Sequence, residues 1–226
     1  MANYKAEDIR NIVVLGHAGA GKTTLVEAIL HKLGVTTRLG SVDDKTSILD
    51  CDEEEKQRGH SIDSGLAHVH YKGKEINLID TPGYPDFYGA AICALPAAET
   101  AVIVVSASAG IQMNTRKLFQ AAKERGMAIV IVVNKVDAGA EDLPGLFAAI
   151  QETFGMACRC ANVASKDGKA VIDCVTNKKG DNGFTDIAEA NTNLMETVIE
   201  ADEKLMESYL GGEEISADQL AGAFTT

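Results

Sequence analysis

A chain of 226 residues, 46% of them hydrophobic, is long enough for one sizeable core and an appendage. No apolar run approaches the roughly 18 residues of a membrane span; the amino terminus, MANYKAEDIR, lacks a secretory signal's apolar stretch, so a cytoplasmic address away from membranes is expected. The formal net charge is −12, and from Gly180 onward eleven Asp or Glu face a single basic residue, Lys204, which disfavours nucleic-acid backbone binding by that segment.

Asn11–Leu15 reads as a short buried strand, and a helix is expected to start near Gly21. Between them Gly16-His-Ala-Gly-Ala-Gly-Lys-Thr23 fits G-x-x-x-x-G-K-[ST] in the strand–loop–helix setting this pattern requires. Backbone N–H groups of Gly16, His17, Ala18, Gly19, Ala20 and Gly21, with Lys22, Thr23 and Thr24 at the helix start, can wrap a polyphosphate. Lys22 would reach the β and γ phosphates, and the Thr23 hydroxyl would bind Mg²⁺. A plain glycine-rich turn is the weaker reading, because chance supplies this pattern in such a chain about once in a hundred times.

Residues 36–61 are polar and aperiodic, and are expected to form a long structureless loop of a length that is functional or disordered. Strands are expected over 63–72 and 75–80. His68 and His70 alternate with Ala67, Val69 and Tyr71, which a half-exposed strand explains more simply than a metal site. The second strand ends on Asp80, within DTPGYPDF (80–87). Asp, Pro and Gly are ordinary turn residues, but downstream of a phosphate loop they gain a use. Asp80 can hold magnesium through a water, and Gly83 lets its N–H approach a γ-phosphate.

Ala101–Val105 and Ala128–Val133 are apolar throughout, as in parallel strands covered on two faces. With helices expected at 87–97, 112–125 and 141–154, the alternation predicts a parallel α/β sheet. Asn134-Lys-Val-Asp137 closes the last strand. A carboxylate at Asp137 can accept both N–H donors on the N1 and N2 edge of guanine, a pair that adenine lacks. Asn134 would brace the base and the phosphate loop, and the Lys135 stem would cover the ring. Following two phosphate motifs, this stretch favours GTP and disfavours an ATP-dependent kinase.

After Gly155 two short strands (158–163 and 169–175) and the turn-rich NKKGDNG are expected. One helix then presents Ile187, Leu194, Val198, Ala201, Leu205 and Tyr209 on a single face, with carboxylates opposite. A domain boundary falls near residue 156. Cys51, Cys93, Cys158, Cys160 and Cys174 contain no CxxC pair and are expected as reduced structural thiols.

Taken together, RNIVVLGHAGAGKTT (10–24), QRGHSI (57–62), INLIDTPGYPDF (76–87), AVIVVSASAGIQMNT (101–115) and IVIVVNKVD (129–137) resemble the N-terminal part of translation elongation factor G, and more closely its elongation-factor-G-like paralogues. VIDCV (171–175) and DEKLMESYLGGEEIS (202–216) resemble parts of that family's inserted subdomain, so the likeness covers nearly the whole chain. It implies a P-loop NTPase fold of the translational GTPase type: α/β, a mostly parallel central sheet with helices on both faces, and a small α+β insertion. The implied division is a GTP-binding domain at 1–156 and the inserted subdomain at 157–226, with an incomplete return to the first domain. Mg²⁺-dependent binding and hydrolysis of GTP is implied, with residues 36–62 and 80–90 as the two switches. Ser61 stands where the family has a magnesium-binding threonine. In family members the complete protein engages the ribosome, which makes stalk protein and rRNA the implied partners of a monomer.

Two departures from the family pattern carry expectations. Gly19 replaces the aspartate usual in the translational phosphate loop, putting any monovalent-cation role there in doubt. Tyr84 replaces the histidine that positions the attacking water; a phenol, which ionises at about pH 10, is a poor base at neutral pH although its hydroxyl can orient water. Slow intrinsic hydrolysis that needs an activating partner is therefore expected, with Lys22, Gly83 and Tyr84 as the catalytic candidates. The sequence stops before the family's fifth guanine motif, so a piece of a longer protein is expected, with an incomplete base pocket and an exposed sheet edge. The alternatives are a ribosomal protection-type factor and a slow-hydrolysing GTP-binding switch that serves as an interaction module.

Overall fold

The computed structural model describes residues 4–138, 142–165, 170–177, 183–200 and 202–211. Contacts divide the chain into two units, Met1–Gly139 and Ala140–Thr226. The sequence reading draws its line at 156, and the element over which the two divisions differ is helix α5 (Leu143–Phe154). Its Gln151 Nε2 donates to the Cys158 carbonyl.

The first unit is built on β1 (Ile9–Gly16). It pairs in parallel with β3 (Lys74–Asp80) on one side and β4 (Thr100–Ser106) on the other. β4 pairs in parallel with β5 (Ala128–Asn134), and β2 (Gly65–Tyr71) runs antiparallel to β3. The order is β2-β3-β1-β4-β5. Central position explains the composition of β1: Val13, Val14 and Leu15 are all buried, because a parallel strand with neighbours on both sides has no solvated face. Val14 and Val104 pack with Val26 and Leu30 of α1 (Lys22–Lys32) and with Val69 and Leu78. Successive strand residues face opposite ways, so Val13, Leu15 and Ile103 serve the other face. Helix α3 (Tyr88–Ala94) buries Ala91 and Ala94, and helix α4 (Met113–Glu124), which contacts β1, β4 and β5, buries Leu118 and Ala122.

Two expectations for this unit are corrected. β5 is not covered on both faces: among the described residues it ends the sheet with a single strand partner, and it leaves Val130 51% exposed. An apolar run reads as complete burial only because sequence does not state strand order. Nor are residues 36–61 structureless, since they contain α2 (Glu53–Arg58). Asp52 and Glu55 cap that helix reciprocally, and Gly59 ends it in the left-handed region at φ 68. The buried Glu55 carboxylate also accepts the backbone N–H groups of Ile62 and Asp63, tying the loop into a closed turn.

In the second unit, the Asp142 carboxylate accepts from Gly145 N to start α5. β6 (Asn162–Ala164) and β7 (Val171–Asp173) form an antiparallel pair, shorter than the expected strands. The expected single helix is two, α6 (Ile187–Glu200) and α7 (Glu203–Leu210). Asp202 explains the break: its carboxylate accepts from Leu205 N, competing with helix continuation as Asp does at helix starts. Ile187, Leu194, Val198 and Leu205 are buried as the periodicity predicts. Lys169, the turn at 178–182, Ala201, the side chain of Tyr209 and residues 212–226 lie outside the described residues. All five cysteines are free, and burial pushes the Cys160 thiol up to about 11.

Removing Leu30, fully buried against the sheet, should cost about 2–5 kcal/mol in Leu30→Ala. Leu66→Ala, at an exposed position of β2, should stay within about 0.5 kcal/mol. Urea titration of both variants measures the difference.

Candidate functional site

Because β1, β3, β4 and β5 run in parallel, their carboxyl ends share one edge of the sheet, the edge at which open α/β sheets take ligands. β1 ends at Gly16, β3 at Asp80 and β5 at Asn134. The sequence-predicted motifs, distant along the chain, therefore meet at one place. Gly16, at φ +146, passes so close to the Val104 carbonyl that a Cβ would clash with it. Gly21, at φ 91, is the residue before α1, and a side chain there would strike the Asn134 amide. That amide is already engaged: Asn134 Nδ2 donates to the Ala20 carbonyl at 3.0 Å, joining the third motif to the first. Lys135, at φ 61, follows in the left-handed region, and both it and Asp137 are exposed.

Within the phosphate loop, Ala20 is buried, His17 and Ala18 are half-buried, and Gly19 and Thr24 are exposed. Lys22 is only 6% exposed and donates from Nζ to the His17 carbonyl at 3.1 Å. Burial lowers the Lys22 pKa, an effect opposed by Asp80. Burial, then the nearby Lys22 charge, lowers the pKa of His17. Thr23 Oγ1 donates to Asp80 Oδ2 at 2.6 Å and lies 3.4 Å from Ser61 Oγ, which in turn donates to Asp50 Oδ1 at 2.8 Å. Burial pushes the Asp80 carboxyl up to about 6, against the Thr23 hydrogen bond and the Lys22 charge. Asp50 is raised as well, first by burial and then by Glu55 and Glu27, with the Ser61 hydrogen bond opposing.

The oxygens of Thr23, Ser61, Asp50 and Asp80 thus converge, and Asp80 Oδ1 is buried without a hydrogen-bond partner. Hydroxyl and carboxylate oxygens around an unsatisfied buried carboxylate atom suit a small hard cation such as Mg²⁺. Asp50 was missed by the sequence reading, where it is one acid among many in SILDCDEEE. Only the fold brings it to Ser61.

Gly83 is seated against the phosphate loop. Its carbonyl accepts from Ala18 N at 3.0 Å and from Asn114 Nδ2 at 2.9 Å, and a Cβ would clash with Lys22 Nζ. Asn114 is a second missed residue: it is 3% exposed on α4 and has no motif of its own. Glu27 is a third. Fully buried on α1, it accepts from Ser47 Oγ and Ile48 N, holding the 36–62 loop to the helix that carries Thr23. Tyr84 remains 42% exposed, with its ring 4.5 Å from that of His60. The aromatic contact joins the two expected switch segments.

Residues 7–214 match the model of the elongation factor Tu GTP binding domain. An elongation factor G-like protein of Mycobacterium tuberculosis is 36% identical over 225 residues, which cover 94% of this chain and 32% of that protein. The tetracycline resistance protein TetM of Enterococcus faecalis is 35% identical over 214 residues, covering 94% of this chain and 31% of its own. The crystal structure of ttk003000868 from Thermus thermophilus superposes with a TM-score of 0.85 at 32% identity, over 95% of this chain and 35% of that one. The chain spans about a third of the length of the curated relatives it matches.

A carboxylate whose folded pKa lies above its unfolded value is penalised when ionised. Its contribution favours the fold below about pH 4 and is lost as the pH rises through about 6. Asp80→Asn should therefore stabilise the ligand-free chain at pH 7, by on the order of 3 kcal/mol at most, and flatten its stability between pH 4 and 7. Thermal denaturation across that range checks both effects.

Proposed function

The chain belongs to the elongation factor Tu GTP binding domain family, and on that premise we propose that it is the GTP-binding and GTP-hydrolysing domain of an elongation-factor-G-like translational GTPase. The observation that carries this reading is the Asn134–Ala20 hydrogen bond. It couples the motif expected to read guanine to the loop expected to hold phosphate, so base identity and phosphate position are set by one rigid edge.

The reaction is attack by water on the γ-phosphate, driven by positioning and charge stabilisation more than by covalent chemistry. Backbone N–H groups of residues 16–24 cradle the phosphates. The Lys22 ammonium, now on the His17 carbonyl, turns to the β and γ oxygens. Thr23, Ser61 and Asp80 would hold Mg²⁺, with Asp50 bracing Ser61 through its hydrogen bond. When bound, the ion neutralises charge that develops between the β and γ phosphates. Gly83 offers its N–H to the γ-phosphate, with its carbonyl fixed by Ala18 and Asn114. Asp137 selects guanine by losing two hydrogen bonds when adenine is offered.

Tyr84 sets the rate. Its hydroxyl orients water without removing a proton at neutral pH, so hydrolysis is slow until a partner completes the site. The ribosome, through its stalk protein and rRNA, is the partner proposed for the complete protein, which acts as a monomer in the cytoplasm. Among the described residues no helix is long and apolar enough to cross a membrane. The exposure of Tyr84 and its contact with His60 favour a second reading, a GTP-binding switch that scarcely hydrolyses. The likeness to TetM favours a protection-type role within the same class.

Titration calorimetry of the chain with GDP, GTP and ATP in Mg²⁺ tests the binding claim. Guanine nucleotides should bind and ATP should not, and Asp137→Ala should weaken GDP by tenfold or more, which is about 1.4 kcal/mol. Comparable ATP affinity would contradict the reading. Single-turnover hydrolysis with ribosomes then examines Tyr84: Tyr84→His should be faster, and equal rates would remove its proposed role.

A further inference from the structure

The hairpin of β2 and β3 gathers the exposed His68 and His70 beside the half-buried Glu75. Ala67 and Val69 are buried, so the intervening histidines share the outer face. The register sets His70 directly opposite Glu75. Glu75 Oε2 lies 2.5 Å from His70 Nδ1, and the two imidazole rings meet edge-on at 6.0 Å. One ring nitrogen from each histidine and one Glu75 carboxylate oxygen all lie within 4.8 Å of one another. Tyr4 closes one side, its hydroxyl 3.0 Å from His70 Nδ1 and its ring stacked at 5.4 Å. The two histidines alone favoured a plain half-exposed strand; the cross-strand carboxylate, which spacing does not reveal, supplies a third donor.

We propose that His68, His70 and Glu75 bind a divalent transition-metal ion of the zinc, cobalt or nickel type. Two imidazoles and one carboxylate form a recurrent donor set for such ions. With metal–ligand bonds of about 2.0–2.2 Å, neighbouring tetrahedral ligands sit about 3.3 Å apart. Rotation about the side-chain torsions of the exposed histidines closes the present spacing, while the hairpin ladder fixes the backbone beneath them. Glu75 is half-buried, its side chain 18% exposed, and its Oε2 is a buried acceptor without a hydrogen-bond partner beyond the His70 contact. Imidazole donors disfavour Mg²⁺ and Ca²⁺, so this ion differs from the one suited to Thr23 and Asp80. The locations differ too. Glu75 and Asp80 stand near opposite ends of β3, about 16 Å apart at strand rise. The proposal is therefore independent of nucleotide binding.

The test is titration of the 226-residue chain with Zn²⁺, followed by Co²⁺ absorption spectroscopy in millimolar Mg²⁺. One equivalent should bind, with visible ligand-field bands and no thiolate charge-transfer band. His68→Ala and His70→Ala should each weaken binding about tenfold or more, Glu75→Gln should also weaken it, and Cys158→Ser should leave it unchanged. His68 is exposed, so its variant keeps the fold, which circular dichroism verifies. Wild-type affinity in the His68→Ala/His70→Ala double variant, a thiolate band, competition by Mg²⁺, or no Zn²⁺ binding would each overturn the proposal.

Discussion

Asp80 is the residue on which the nucleotide edge depends. A carboxylate at the end of a strand in the middle of a sheet loses its water, and the raised pKa records the cost. One oxygen recovers a hydrogen bond from Thr23, and the other recovers none. The fold thus carries an unsatisfied acceptor between a lysine, two hydroxyls and a second carboxylate. A bound cation would satisfy such a group, and stability would then be linked to ligand binding.

The surrounding structure holds that charge in place. Parallel pairing of β1 with β3 and β4 brings Gly16 and Asp80 to the same edge. The Thr81 hydroxyl donates to the Val14 carbonyl, fixing the residue after Asp80 to the central strand. Gly83 is fastened by Ala18 and Asn114, and the 36–62 loop by Glu27 and Glu55. Each fastening is a hydrogen bond to a backbone group, the kind of group a loop must pair where it leaves regular structure, and Leu49 anchors the 36–62 loop further by burial in the core.

Candidate residues that lie in contiguous motifs were legible in the sequence: Lys22 and Thr23, the Asp80–Gly83 turn, and Asn134 in its strand-end position, which the fold brings to one edge. Their local spacing is imposed by backbone geometry, which the residue pattern preserves. Asp50, Asn114 and Glu27 were not legible as site residues, because their roles come from convergence across the fold: Asp50 and Glu27 sit in no motif, and Asn114, although inside the family-like stretch 101–115, meets Gly83 only through the fold. The α2 helix was legible in principle, since Asp52 and Glu55 have capping-box spacing, but its short, charged sequence lacks apolar periodicity. The exposure of Val130 depended on strand order, and the α6–α7 break on one aspartate overriding a continuous apolar stripe.

The most direct measurement is the GDP affinity of the wild-type chain and of Asp80→Asn, each with and without Mg²⁺. If the buried carboxylate is the link between metal and nucleotide, Mg²⁺ should strengthen wild-type binding by tenfold or more, about 1.4 kcal/mol, and add little to the variant. Equal Mg²⁺ enhancement in both proteins would contradict the central place given to Asp80.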